Sequence, residues 1–357
     1  MKVEKLTTKE RFQKMYDFKE ADRIPIIDSP WDATIKRWHR EGMPENMNFV
    51  EYFGLDHVAD ITVSPGPWDE NEIIEETEKY GIYKNIWGTV FRQWKHAAST
   101  PEFLDFEITN PDKWNIAKNK LKPTKDKIDW KYLKKNYRNW KEKGYWIQAH
   151  LWFGFDIIHS WIVGTERMLI AMVENAEWCR DMVSFLLEYH LTLFDKIWEA
   201  GYEFDSMTFP DDMGYKHSQF FSLKIYRDVL KPYHQQAVEW AHEKGIKAHV
   251  HSCGDVNPFI PEFIEIGVDA LNPLEVKAGM DPIVLKQKYG KDLVLHGGIN
   301  AVHYDKPEKI KAEMQRVIPV LKENGGYIFS SDHSVPDSVS LEDFKRIVNL
   351  AKELGTY

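Results

Sequence analysis

Residues 247–275 read KAHVHSCGDVNPFIPEFIEIGVDALNPLE, and their pattern predicts strand, helix and strand in succession. The short run KAHVHSCGD ends in polar residues around a glycine. NPFIPEFIEIG is amphipathic and closes on glycine, as a helix with a left-handed cap does. DALNPLE then repeats the first kind of run. The same alternation extends on both sides of this stretch. YWIQAHLWFG (145–154), FDSMTFPDDMG (204–214), LVLHGGIN (293–300) and YIFSSDHS (327–334) are further short runs. Helical patterns at 222–245, 306–326 and 341–355 are interleaved with them. Buried strands alternating with helices argue for a parallel sheet with helical crossovers. No Gly-x-Gly-x-x-Gly turn follows any strand, which speaks against a dinucleotide-binding sheet. The predicted fold is α/β, a closed (β/α)8 TIM barrel, with residues 1–357 as one domain.

The first third reads differently. RIPIIDS (23–29) predicts the first barrel strand. IIEETEKYGIYKNIWGTVFRQWKH (73–96) alternates and has glycines at turn positions, so it predicts an antiparallel hairpin. We therefore expect an aromatic-rich hairpin and helical insertion over about residues 65–140 that caps the barrel mouth. The chain has 14 Trp, 16 Tyr and 19 Phe, many of them in this third beside prolines and charges, where rings suit a pocket.

Bulk composition excludes several function classes. The formal net charge of −9 argues against nucleic acid or an anionic membrane as the main partner. Two cysteines, Cys179 and Cys253, cannot build a disulfide framework, and MKVEKLTTKERF has no apolar signal core. The expectation is a cytoplasmic protein without membrane spans, with Cys179 a buried structural thiol.

In a (β/α)8 barrel the chemistry gathers at the carboxyl ends of the strands. There the sequence supplies His150, Asp211, Asp212, His251, Cys253, Glu275, His296, Asp332 and His333. Strand alternation sends His249, His251 and Cys253 to one side. His-x-Cys puts an imidazole and a thiol close enough to share zinc, and SSDHS offers His333 or Asp332 as a third ligand. Asp212, Glu275 and His296 are candidate catalytic groups. Glu275 and His296 could equally orient a ligand, complete a metal shell or cap a strand end. Trp31, Trp68, His150, Trp152 and Asp211 are candidate substrate contacts, although Asp211 also suits a helix cap.

Residues 211–300, from DDMGYKHSQ to LHGGIN, resemble the uroporphyrinogen decarboxylase superfamily. They are most similar to its corrinoid (cobalamin)-dependent methyltransferase branch. RIPIIDSPWDATIKRWHREGMP, EYFGLD, STPEFLDF and GGYIFSSDHSVPDSVSLEDFKRIV extend the resemblance over nearly the whole chain. The resemblance implies a TIM barrel and a zinc site in which His251 and Cys253 match a His-x-Cys pair. His333 stands where the branch has a later cysteine. Two imidazoles and one thiolate would leave a net +1 site, more Lewis-acidic than one with two thiolates. The arginine cluster with which true decarboxylases grip a polyanionic porphyrinogen is missing from ADRIPIIDSPWDATIKRWHR.

The expected activity is transfer of a methyl group from a methylated, methoxyaromatic-type small molecule to a corrinoid, or the reverse half-reaction. No Asp-x-His-x-x-Gly motif is present, so the corrinoid would come in trans on a partner protein. The resemblance leaves a homodimer open. The alternatives are a metal-free decarboxylase or lyase on the same barrel, and a barrel that only binds a ligand.

Overall fold

The computed structural model describes residues 5–64, 66–68, 71–95 and 100–357. Residues 65, 69–70 and 96–99 of the expected insertion lie outside the described residues. First along the chain comes β1 (Val58–Ile61). An antiparallel four-stranded meander follows, made of β2 (Glu72–Glu76), β3 (Tyr80–Lys84), β4 (Val90–Trp94) and β5 (Glu102–Asp105). Next come β6 (Trp146–His150), β7 (Ser206–Pro210) and a small hairpin of β8 (Gly214–Tyr215) and β9 (Ser218–Gln219). The last strands are β10 (Lys247–His251), β11 (Ala270–Asn272), β12 (Val294–His296) and β13 (Tyr327–Ile328). β1, β6, β7, β10, β11, β12 and β13 lie side by side in that order in one seven-stranded parallel sheet.

The stretch RIPIIDS closes the ring between β13 and β1. Ile26 bridges Phe329 in parallel, and the Phe329 N–H donates to the Pro25 carbonyl. On the other side the Asp56 N–H donates to the Ile26 carbonyl, while the Asp56 carboxylate accepts the Ile26 N–H at 2.7 Å. Pro25 has no N–H, and a carboxylate replaces one backbone acceptor. This eighth strand therefore pairs at single residues rather than along a ladder. The fold is the expected (β/α)8 barrel.

Its floor is plugged from below. The helix Thr8–Tyr16, started by a Thr7–Glu10 capping box, presents Phe12, Met15 and Tyr16 to Trp146, Ala270, Val294 and Ile328. Trp146 stacks on Phe12 at 5.2 Å and on Tyr16 at 5.3 Å. Nearer the carboxyl ends the interior turns polar. Gln148 donates to Asp60 at 2.7 Å and accepts from Thr208 at 3.0 Å. Barrel interiors are ordinarily filled by Val, Ile and Leu. Polar residues at these positions point to a site.

The meander is larger than the predicted hairpin. It rests on the segment after β6, where Phe91 and Phe103 meet the Trp161 ring edge-on at 5.5 and 5.2 Å. The Thr89 hydroxyl also donates to the Trp161 carbonyl. No described helix is long and apolar enough to cross a membrane.

Candidate metal centre and substrate cavity

His251 is the last residue of β10, and Cys253 lies in the turn just beyond it. The turn is tight because Gly254 (φ +81°) runs against the β8–β9 hairpin. A Cβ on Gly254 would lie 2.1 Å from the carbonyl carbon of Gly214. Two carboxylates pin this turn: Asp212 accepts the Cys253 N–H at 2.8 Å, and Glu275 accepts the Gly254 N–H at 2.6 Å. Asn272, opposite on β11, accepts from His251 Nδ1 at 2.6 Å, while its own amide N–H donates to the His296 carbonyl at 3.3 Å. The Asn272 oxygen only accepts, so His251 carries its hydrogen on Nδ1 and keeps the Nε2 lone pair. That nitrogen lies 3.5 Å from Cys253 Sγ and 3.7 Å from Asp212 Oδ1.

Ligand atoms of Asp212, His251 and Cys253 all fall within 4.8 Å of one another, and they form the one such group among the described residues. His333 does not join it. Its exposed ring sits 6.1 Å from Trp31, across the same cavity. The third corner belongs to Asp212, expected from the sequence to be a catalytic acid. Burial, then the nearby carboxylates of Asp212 and Glu275, push the Cys253 thiol well above its usual range. A divalent cation is the kind of partner that reverses this, because a coordinating thiol gives up its proton.

The adjoining cavity has a volume of about 350 Å³. Trp31, His251, Cys253, Asn272, His296 and His333 are among its walls, with Asp28 and Ser331 on the first- and last-strand side. Among the described residues no lysine or arginine lines it. Asp28 is half-buried there, accepts from Ser331 and Tyr304, and is pushed up to about 6, chiefly by loss of water around its carboxyl.

Several expected contacts lie elsewhere. No described residue of the insertion lines the cavity, so the meander does not lend it aromatic rings. Trp68 packs beneath the Lys120 ammonium, 5.1 Å from its ring. Trp152 instead donates its indole N–H to Asp156 at 2.7 Å. Asp211 is wholly buried and turned away, accepting the Asp156 N–H at 2.7 Å and pairing with buried His234 at 2.9 Å. It braces the segment after β6. Glu275 is occupied with the Gly254 N–H and with Lys277, 3.3 Å away. It positions the thiol-bearing turn. His150 ends β6 in the field of Asp60 and His251, and burial lowers its basicity.

Reading the sequence alone overlooks Asp28, Asp60, Asp156 and Asn272. Asp28 ends a recognised strand and carried a usable signal. Asp156 lies in the short helical turn Phe155–Ile157 that follows β6. It is pushed up to about 8, mainly by burial and then by Asp212.

Comparison with known proteins finds a family and a fold for this chain. The family model described as uroporphyrinogen decarboxylase (URO-D) matches residues 158–354. A solved structure, a methyltransferase from Methanosarcina mazei, aligns over 98% of this chain and 99% of its own, with a TM-score of 0.65 and 16% sequence identity. At that identity the likeness is one of fold. No curated protein matches the sequence significantly.

Proposed function

Because the chain belongs to the uroporphyrinogen decarboxylase family, we propose from its own site residues that it is a zinc-dependent methyltransferase. It moves a methyl group from a methylated, methoxyaromatic-type substrate to a corrinoid carried by a partner protein. The observation that carries this reading is the convergence of His251 Nε2, Cys253 Sγ and the Asp212 carboxylate at one strand end.

The donor set suits zinc: one imidazole with a fixed free lone pair, one thiol and one carboxylate. With both acids ionised, the site would be neutral rather than the net +1 expected with His333. Bound zinc would supply Lewis acidity toward the heteroatom that carries the methyl group. The chain's own residues prepare that position. Asn272 fixes the His251 tautomer, Glu275 holds the Cys253–Gly254 turn, and Trp31 offers an apolar face beside His333. Asp156 keeps a proton near neutral pH in the field of Asp212, behind Trp152 and Ser160. A cavity wall whose described residues include no lysine or arginine is a poor match for a porphyrinogen bearing several carboxylates, which favours methyl transfer over that decarboxylation.

The test is metal content of protein purified without chelator or metal-affinity column, followed by corrinoid methylation with methoxyarenes. We expect about one zinc per chain, lost in Cys253→Ser and Asp212→Asn and kept in His333→Ala. A parent that takes up no zinc even after incubation with it would sink the reading and leave a metal-free lyase. Loss of zinc in His333→Ala alone would show that the ligand set is wrong.

A further inference from the structure

On β1 the side chain of Val58 meets the floor cluster around Trp146, while Ala59 and Ile61 are buried in the outer core. Alternation therefore turns Asp60 into the barrel, beside Gln148 on β6. Asp60 is nonetheless exposed, and Gln148, His150, His251 and Asn272, on strands around the same interior, are only half-buried. Side chains ordinarily fill the interior of an eight-stranded barrel. Here they leave room. β11, which carries Asn272, is four strands from β1 in either direction around the ring. Asp60 therefore faces the cavity wall at Asn272 from across the barrel.

The carboxylate is held in place and still has capacity to spare. Gln148 donates to Asp60 Oδ1 at 2.7 Å, and the Gln148 oxygen in turn accepts the Thr208 hydroxyl at 3.0 Å. A carboxylate has about four lone-pair positions, and Gln148 takes one of them. Among the described residues no other donor reaches Asp60, and no lysine or arginine pairs with it. Neither residue type is found among the described cavity walls. An interior of this kind favours a ligand group that brings positive charge and N–H donors together, which is an ammonium. A carboxylate would be repelled. A hydroxyl would occupy one lone pair and leave the charge unmet.

We propose that Asp60 determines specificity by anchoring an ammonium group at the end of the substrate remote from the candidate metal ligands. The proposal rests on the proposed function, since it takes a methylated aromatic compound to reach across the barrel from the metal side to β1. The substrate class is then a methoxyaromatic amine, with its methoxy group toward His251 and its ammonium on Asp60. Gln148 is a positioning residue that fixes the carboxylate.

The test is calorimetric binding, at neutral pH, of 4-methoxyphenethylamine and its uncharged counterpart 2-(4-methoxyphenyl)ethanol to the full-length protein. Zinc content and the unfolding midpoint are measured alongside. The parent should bind the amine at least about tenfold more tightly than the alcohol. In Asp60→Asn and Asp60→Ser that ratio should fall below about threefold with zinc content unchanged, and Gln148→Leu should lower it in part. Equal affinities in the parent overturn the proposal. So does a preference that survives in either folded Asp60 variant, or failure of both compounds to bind. Binding needs no turnover, so the two readings fail separately. Preference for the amine without zinc or methyl transfer would keep the ammonium anchor and sink the proposed function, while zinc and methyl transfer without that preference would do the reverse.

Discussion

Asn272 shows how one uncharged side chain can decide what a site binds. By accepting from His251 Nδ1 it leaves Nε2 unprotonated toward Cys253 and Asp212. Asn272→Leu should leave the fold intact yet weaken zinc binding by about 10- to 100-fold, read by competition with a chelating dye. Asn272→Asp keeps the acceptor and should lose much less. Gly254 is constrained by both conformation and contact. A side chain there meets a positive φ and the Gly214 backbone at once. Gly254→Ala should cost at least about 2 kcal/mol in denaturant unfolding and shift the Cys253 turn enough to reduce zinc content.

The elements divide the labour. β10, β11 and β12 carry His251, Asn272 and His296 at their ends, while the helix Thr8–Tyr16 and Trp146 fill the opposite end. No described residue of the meander forms a wall of the cavity, and the meander is anchored through Trp161. Trp161→Ala removes a ring that two phenylalanines contact edge-on, a change worth about 3 kcal/mol where such a ring is packed. Amide hydrogen exchange should accelerate in β3 and β4, while zinc content stays at the parent level. A variant that lost zinc would show that the meander supports the site after all. The split of the helical run 222–245 into Leu223–Val229 and Lys231–Glu243 has a local cause, since Pro232 has no N–H to continue one helix.

At the scale of the whole molecule, the buried titrating groups set how stability depends on pH. Below about pH 6.5 they act in opposite senses. His159 and His190, lowered to about 4, and His249, lowered to about 3, refuse protons that the unfolded chain accepts. Asp28 and Asp332, raised to about 6, retain protons that it releases. Between about pH 7 and 8 the contributions of the histidines, Asp28 and Asp332 fade, and two groups with values of about 8 titrate in opposite senses: Asp156, raised, and Lys286, lowered. At Asp156 the native state there holds a proton that the unfolded state has lost, so this group by itself lowers stability as pH rises, whereas Lys286 acts the other way. We expect the unfolding midpoint of chelator-treated protein to respond differently to pH between about 7 and 8 in the parent and in Asp156→Asn: over that range the variant should gain stability relative to the parent as pH rises. An unchanged slope in the variant would assign the effect to another group.

Alternation of short apolar runs with amphipathic helices determined the barrel from sequence, because strands buried on both faces and helices buried on one leave different periodicities. The polar residues that end those runs marked the candidate site for a related reason: core strand ends have no use for His-x-Cys. β1 escaped because four residues, VADI, with an inward aspartate give too little pattern to read. Only the tertiary structure decided which polar strand ends work together. It turned Asp211 toward His234, put Asp212 rather than His333 beside the thiol, and kept the described residues of the aromatic meander off the cavity. Those outcomes depend on backbone course and side-chain direction across strands far apart in sequence, and no local periodicity encodes a distance between them.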